Sequence, residues 1–155
     1  MKIMSLLSYQ KKRKFSGKGK TSEPKGEIKE SNGKLIFVVH KHHASHLHWD
    51  LRLEMNGVLK SWAVPKEPPM SKDVKRLAVQ VEDHPIEYAK FKGIIPEGNY
   101  GAGKVEIWDN GKYVLESKKS NKIVFELKGK KLNGKYVLIK TSYGKPGKSW
   151  LWFKV

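Results

Sequence analysis

From Leu35 to the C terminus the chain is a succession of short β-rich runs separated by turn signals, and this pattern constrains the fold most strongly. The predicted strands are Leu35–His42, Leu47–Glu54, Val58–Val64, Arg76–Glu82, Lys104–Trp108, Lys112–Glu116, Lys122–Leu127, Lys135–Thr141 and Ser149–Val155. Many short strands without a convincing long helix are typical of an antiparallel barrel or sandwich. We therefore expect an all-β, mainly antiparallel fold, a closed or nearly closed β-barrel of about eight strands.

The connections between these runs carry the residues that turns require. Asn56-Gly57, Asp109-Asn110-Gly111 and Asn133-Gly134 stand where tight hairpin turns are needed. Pro65–Lys75 and Asp83–Gly103 are longer and are predicted to be loops. Loops of this length in a compact domain are often functional.

The first 34 residues differ from the rest in composition. They contain ten Lys or Arg against three Glu and include the flexible-looking segment Ser16–Lys20. We expect a basic, partly flexible N-terminal arm over residues 1–34, with a short helix around residues 4–14, followed by one β-barrel domain over residues 35–155.

Charge and cysteine content limit the chemistry of the chain. The 155 residues include 32 Lys plus Arg against 15 Asp plus Glu, a formal net charge of +17, which favours a polyanion such as nucleic acid as partner. Because cysteine is absent, any metal must bind to nitrogen and oxygen ligands. The N terminus is too short an apolar run for a signal peptide, and no segment is long enough to span a bilayer. We expect a soluble, cytoplasmic protein with no membrane partner.

Arginine is rare among the basic residues, and this makes each arginine informative. Only Arg13, Arg52 and Arg76 occur in a chain that otherwise uses lysine. A guanidinium offers a planar fork for phosphate or carboxylate that an ammonium group lacks.

Five of the six histidines lie between positions 40 and 48. Leu47–Glu54 alternates strictly between apolar and polar residues, so a strand would place His48, Asp50 and Arg52 on one face. A hairpin would bring His42 beside them, and two imidazoles with one carboxylate leave open positions on a divalent metal. The alternative is a histidine-rich surface hairpin that binds metal only adventitiously.

The other histidines have different expected roles. His43 and His46 are expected in the loop rather than as ligands, whereas His40 remains open as a ligand. His84 follows a predicted strand, with Tyr88 four residues later. It could act as a general acid or donate a hydrogen bond to developing charge, or it could simply lie solvated in a turn.

Four runs of the sequence resemble the 3′-phosphoesterase domain of DNA ligase D, the multifunctional bacterial end-joining ligase. They are Val39–Glu54, which contains His-Leu-His-Trp-Asp-Leu-Arg, together with Gly57–Lys66, Lys75–Pro85 and Ile95–Gly103. The resemblance implies a small β-barrel enzyme that trims DNA 3′ ends with manganese. Such domains remove a terminal ribonucleoside to leave a 3′-phosphate, and then remove that phosphate to leave a 3′-hydroxyl.

The resemblance also implies roles for individual residues. The implied metal ligands are His42, His48 and Asp50. The implied groups around the scissile phosphate are Arg52, His84 and Tyr88, and Lys66 and Arg76 also fall on functional positions of the family. In the arm, Arg13 resembles a phosphate contact and Glu23 an active-site residue. The arm departs from the family pattern because Lys14 stands where aspartate is usual and because Ser16–Lys20 is longer than the usual spacer.

The expected cofactor is Mn²⁺, although nitrogen and oxygen ligands also admit Zn²⁺ or Co²⁺. The expected partners are DNA or RNA-tipped primer 3′ ends, and contacts with a separate DNA ligase and an end-binding protein stay open. The chain is expected to be a stand-alone version of the domain. Two other functions remain as alternatives: a noncatalytic DNA-end binding module, and a non-haem Fe(II) oxygenase in which His48, Asp50 and His84 form the triad.

Overall fold

The computed structural model describes residues 5–26 and 34–155. Its elements are helix α1 (Leu7–Lys11), strands β1 (Leu35–His43), β2 (Leu47–Met55), β3 (Val58–Val64) and β4 (Lys75–His84), a 3₁₀ helix (Ile86–Lys90), and strands β5 (Gly93–Ile95), β6 (Gly103–Lys118), β7 (Lys122–Lys128), β8 (Asn133–Lys140) and β9 (Ser149–Lys154). None of the helices in these two ranges has the length and apolar character needed to cross a bilayer.

Eight antiparallel strands close into a barrel, which confirms the predicted fold. The strand order is β1-β2-β3-β4-β9-β8-β7-β6, and β6 pairs back with β1 to complete the ring. The short strand β5 adds to the other edge of β6. The short helix predicted around residues 4–14 is present as α1, and only residue 4 of that segment lies outside the described residues.

The barrel interior is filled by the apolar side chains that alternate with polar ones along each strand. Leu51, Phe125 and Trp152 are completely buried there, on strands from opposite parts of the ring. Burying a large apolar side chain of this kind stabilises the fold by about 1.5–3 kcal/mol. The other half of each strand points away from the interior, so its polar residues lie on the outer wall.

Part of that outer wall is covered by the N-terminal arm and by the 3₁₀ helix. Tyr9 from α1 is completely buried against Val38, Leu59 and Tyr88, which form a second apolar cluster outside the barrel. The arm residues 5–26 therefore pack on strands β1, β3 and β4 rather than extending away from them.

The turn predicted at Asp109-Asn110-Gly111 is wrong, because the two predicted strands on either side form the single strand β6. Asp109 is buried and accepts hydrogen bonds from the backbone N–H groups of Lys130, Lys131 and Leu132. The β1–β6 register also shifts at this point, so the strand bulges without turning. Gly111 is needed for close packing, since a Cβ there would lie 2.3 Å from the Lys128 carbonyl oxygen.

The other two predicted turns have opposite outcomes. Asn56 and Gly57 have φ of 54° and 82° and join β2 to β3, as a two-residue hairpin turn requires. The prediction at Asn133-Gly134 is wrong by a few residues, because both residues already belong to β8 and the connection from β7 runs over residues 129–132. Asp83–Gly103 was predicted as a loop but also contains the last residues of β4, the 3₁₀ helix and β5.

Candidate active site

The β1–β2 hairpin brings together the three predicted metal ligands on the outer wall. His42 pairs directly with His48, and Asp50 lies two residues further along β2. One donor atom from each of the three residues lies within 4.8 Å of the others. The convergence predicted from strand alternation is therefore present in the structure.

Backbone carbonyls orient both imidazoles. The His42 Nε2–H donates to the Gly101 carbonyl at 2.6 Å, and the His48 Nδ1–H donates to the His46 carbonyl at 3.0 Å. A carbonyl can only accept, so His42 Nδ1 and His48 Nε2 are the ring nitrogens that face Asp50, and each offers a lone pair to a metal when the ring is neutral. These atoms lie 3.8 and 3.3 Å from Asp50 Oδ2. Outer hydrogen bonds of this kind commonly orient metal-binding histidines, and the donor set fits a divalent cation.

The electrostatics of the triad keep Asp50 ionised. Burial acts to raise the pKa of Asp50, but the charge of Arg52 and the hydrogen bonds from His42 and His48 outweigh it, and the pKa lies well below its usual value. Burial acts to lower the pKa of His48, but its hydrogen bond and attraction to Asp50 raise it overall. The site is therefore a buried anion that favours a cation beside it.

Arg52 is held from two sides and keeps one donor free. Its Nε donates to His40 Nδ1 at 3.2 Å, and its Nη2 lies 3.4 Å from Asp50 Oδ2. Its guanidinium also lies 4.9 Å from the centre of the Tyr88 ring. The buried Nη1 has no hydrogen-bond partner among the described residues. A buried, unpaired guanidinium donor is a suitable contact for an anion.

His40 orients Arg52, and both of its ring nitrogens are occupied. Its Nε2–H donates to the Phe91 carbonyl at 2.9 Å, which leaves Nδ1 as the acceptor for Arg52. Burial and the charge of Arg52 lower the pKa of His40 to about 3, so the ring is neutral. His40, left open as a ligand by the sequence, thus does not join the triad.

His84 faces the same cavity from β4. Its Nδ1–H donates to the Glu82 carbonyl at 3.0 Å, and its Nε2 lies 3.5 Å from Arg13 Nη2. Burial, followed by the charges of Arg52 and Arg13, holds the pKa of His84 well below its ordinary value. His84 is thus a neutral acceptor beside two guanidinium groups, and it does not complete the triad expected for an iron oxygenase.

The arm delivers Arg13 and Glu23 to the cavity. Arg13 Nε lies 3.0 Å from Glu23 Oε2, and both side chains are almost completely buried. The Tyr88 hydroxyl donates to the same carboxylate, and the Thr21 hydroxyl donates to Glu23 Oε1 at 2.7 Å. Burial, with Glu23 beside it, raises the pKa of Tyr88 well above its usual value, so the hydroxyl keeps its proton.

These groups surround one cavity of about 360 Å³ on the outer wall of the barrel. The sequence-predicted residues that line it are Arg13, Glu23, His42, His48, Asp50, Arg52, His84 and Tyr88. They come from the arm, from β1, β2 and β4, and from the 3₁₀ helix. A cavity that joins a candidate metal site to several buried cations can bind a phosphate group.

Four other predicted residues lie away from this cavity. Neither Lys66 nor Arg76 lines the cavity. Lys66 is exposed in the β3–β4 connection, and Arg76 Nε–H donates to the Glu67 carbonyl at 2.6 Å. The prediction that His43 lies in the loop is wrong, because it is the last residue of β1 and contacts Glu106 at 2.5 Å, while His46 supplies its carbonyl to His48.

Sequence reasoning missed Glu82 and Tyr100. Glu82 Oε1 lies 3.0 Å from Lys12 and its Oε2 lies 3.4 Å from Arg13. Its position two residues before His84 on a strand could have identified it. Tyr100 also lines the cavity, from the predicted loop Asp83–Gly103, and no periodic pattern pointed to it.

A family model described as the DNA ligase D 3′-phosphoesterase domain matches residues 40–140. The chain is 48% identical, over 97% of its length, to the multifunctional non-homologous end joining protein LigD of Pseudomonas aeruginosa. It is 44% identical, over 90% of its length, to the multifunctional non-homologous end joining DNA repair protein LigD of Mycobacterium tuberculosis. It spans 18% of the length of each of these relatives.

Proposed function

Because the chain belongs to the DNA ligase D 3′-phosphoesterase family, we propose that it hydrolyses phosphoesters at DNA 3′ ends during end joining. The substrates are a 3′-terminal ribonucleoside, whose removal leaves a 3′-phosphate, and that phosphate itself, whose removal leaves a 3′-hydroxyl. The observation that carries the proposal is the convergence of the triad His42, His48 and Asp50 with buried arginines in one cavity.

The triad would hold the metal, and Mn²⁺ is the proposed ion, with Zn²⁺ and Co²⁺ also compatible with the ligands. A divalent cation bound there supplies polarisation of a phosphate oxygen and a lowered pKa for a bound water. The chain prepares the ligands in advance, because Gly101 and His46 set the imidazole tautomers and Arg52 keeps Asp50 ionised.

Arg52 and Arg13 would neutralise the phosphate. Arg52 Nη1 supplies a buried donor that no described residue uses, and Arg13 Nη2 points toward His84 at 3.5 Å. Both guanidiniums are oriented by neighbours, Arg52 by His40 and Arg13 by Glu23. Donors fixed before the reaction stabilise developing negative charge without reorganisation. Glu23 and the Tyr88 hydroxyl thus orient the phosphate-binding groups.

His84 would act at the leaving oxygen. Departure of a sugar hydroxyl needs a proton or a hydrogen bond, because an alkoxide is a poor leaving group. The neutral His84 has its Nδ1–H fixed on the Glu82 carbonyl, and its Nε2 can take up a proton when an anionic phosphate enters. That proton is then available at Nε2 for the leaving oxygen.

The test is a duplex DNA primer with a 3′-terminal ribonucleotide, incubated with the protein and Mn²⁺, Zn²⁺, Co²⁺ or Mg²⁺, with the product ends identified. We expect a 3′-phosphate followed by a 3′-hydroxyl, with the highest rate in Mn²⁺. The matched variants are His42→Ala, expected to be inactive, and His43→Ala, which removes a neighbouring imidazole outside the cavity and should keep the activity. Binding of the primer without any change in its length would instead identify a noncatalytic end-binding module.

A further inference from the structure

A second groove begins at the edge of the proposed phosphate cavity. It has a volume of about 530 Å³ and shares Val81, Glu82 and Tyr100 with the cavity. On its other sides lie Lys12 from the arm and Lys145 and Lys148 from the connection between β8 and β9. The two spaces therefore lie next to each other on the outer wall.

The charge of this groove is positive. Lys145 and Lys148 are exposed, and within residues 5–26 and 34–155 neither has a carboxylate at ion-pair distance. Glu82, the one acidic residue on the groove lining, is already engaged by Lys12 and Arg13. Burial acts to raise the pKa of Glu82, but Lys12 and Arg13 beside its carboxylate lower that pKa overall. Such a surface is complementary to a nucleic-acid backbone.

Backbone hydrogen bonds anchor the lysine-bearing connection beside β4. The Gln80 N–H donates to the Lys148 carbonyl at 2.7 Å, two residues from Glu82 on the same strand. Within the connection, the Lys145 N–H donates to the Ser149 hydroxyl at 2.8 Å and the Lys148 N–H donates to the Lys145 carbonyl at 3.2 Å. The two ammonium groups are therefore carried by a chain segment that is anchored next to the cavity.

Tyr100 lines both spaces and is partly exposed. Its side chain is large and 49% exposed, and the neighbouring Gly101 carbonyl accepts the hydrogen bond from His42. Lys12 Nζ lies 4.8 Å from the ring centre and Arg13 Cζ lies 5.5 Å from it. An exposed ring flanked by cations is a suitable platform for a nucleic-acid base, since bases stack on aromatic side chains while cations bind the backbone.

We propose that the DNA strand whose 3′ end enters the cavity passes over Tyr100 and continues along the groove between Lys12, Lys145 and Lys148. This inference rests on the proposed function, because it names the path of that substrate. The base nearest the scissile phosphate stacks on Tyr100, and the phosphates upstream of it contact Lys145 and Lys148. The groove thus selects polynucleotide ends over small phosphoesters.

The charge in the groove is tested with Lys145→Ala/Lys148→Ala against the matched control Lys112→Ala/Lys128→Ala. The control removes the same charge from a cross-strand pair of exposed lysines on β6 and β7. Affinity for a fluorescent 3′-ribonucleotide-tipped primer is measured by anisotropy at several salt concentrations without added metal. We expect the groove variant to bind about tenfold more weakly and to lose between one and two units of salt dependence, with the control within about twofold of the original protein. Equal losses of affinity in both variants would contradict the proposed path of the DNA strand along the groove.

The stacking role is tested with Tyr100→Leu and Tyr100→Phe. Leucine keeps apolar bulk without a ring face, so affinity for the primer should fall roughly 5- to 150-fold, whereas phenylalanine should retain most of it. Full affinity in Tyr100→Leu would show that the strand does not cross this ring. If the unaltered protein trims no 3′ end with any metal, the proposed function fails, while these binding measurements still decide the path of the strand.

Discussion

The outer wall formed by β1–β4 and the outer wall formed by β6–β8 follow the same alternation but have different properties. On the first, His40, Asp50 and Arg52 are polar and yet almost completely buried. On the second, Lys112 and Lys128 are polar and exposed. The arm and the 3₁₀ helix pack over the first wall at Val38 and Leu59, whereas Lys112 and Lys128 on the second wall stay exposed. Polar side chains on a strand become a binding site when other segments exclude water around them and leave some of their donors unpaired.

The largest expected difference between the walls is in catalysis. Asp50→Asn removes the anionic ligand from the covered wall, and we expect the rate of primer trimming to fall about a thousandfold or more, because the metal's charge stabilisation is lost. Glu126→Gln makes the same chemical change on β7 and should leave the rate within about twofold. Both rates are measured on proteins whose thermal unfolding shows that they are folded. If Asp50→Asn were as active as Glu126→Gln, the covered wall would have no special role in catalysis.

The covered wall should also govern the dependence of stability on pH. The pKa values of His40 and His84 are lowered by burial in the folded state, so the unfolded chain binds protons first as pH falls below about 6.5. The free energy of unfolding should therefore decrease as pH falls from 6.5 toward 4, by up to about 1.4 kcal/mol per pH unit for each histidine. Urea unfolding across this range measures the slope. His40→Asn should make it shallower, and an unchanged slope in that variant would contradict the assignment.

An ion pair on the covered wall and one on the exposed wall should differ in their contribution to stability. Arg13–Glu23 joins two arm residues and is buried against the first wall, whereas Lys135–Glu116 on the second wall is partly exposed at 51% and 33%. Glu23→Gln removes the nearer of the two carboxylates that pair with the buried Arg13 guanidinium and leaves only Glu82, so it should lower the free energy of unfolding by about 3 kcal/mol. Glu116→Gln should lower it by less than about 1 kcal/mol. Urea unfolding of both variants at neutral pH provides the comparison, and similar losses would show that the arm does not keep water from the pair.

A smaller effect is expected where His40 orients Arg52. His40→Ala removes the acceptor of Arg52 Nε, and we expect primer trimming to slow about 10- to 100-fold, as is typical when an outer orienting group is lost. His40→Asn restores an acceptor near the Nδ1 position and should recover part of the rate. His43→Ala, an exposed change on the same strand, is the control. Loss of activity in all three variants would mean that the hairpin as a whole, rather than the Arg52 contact, had been disturbed.

Much of the fold and of the candidate metal site could be predicted because their signals are local. The Leu47–Glu54 alternation placed His48 and Asp50 on one face, and the Asn56-Gly57 turn appeared where its sequence required it. Asp109-Asn110-Gly111 carried the same kind of signal and was misleading. Its aspartate binds backbone N–H groups some twenty residues away, and its glycine admits a neighbouring carbonyl.

The orientation of the site residues depended on contacts between distant segments. Arg13 reaches His84 across 71 residues, and Tyr88 reaches Glu23 across 65 residues. The His40 contact with Phe91 is likewise nonlocal, which is why the sequence left His40 open as a ligand. No spacing rule applies at such separations, because many chain paths could join the same residues. Family resemblance indicated Arg13 and Glu23, but not the contacts that hold them.

Strand alternation, turn residues and charge were therefore sufficient to predict the barrel and the face that carries His48, Asp50 and Arg52, and to favour a polyanion as the expected partner, since each depends on neighbours in the chain or on composition alone. The packing of the arm against the outer wall settled the rest. It buries Arg13 and Glu23 beside His84, and this buried arrangement lowers the pKa of His84, leaves Arg52 Nη1 unpaired among the described residues and encloses the cavity. Burial depends on which distant segments meet, and that is a property of the folded chain.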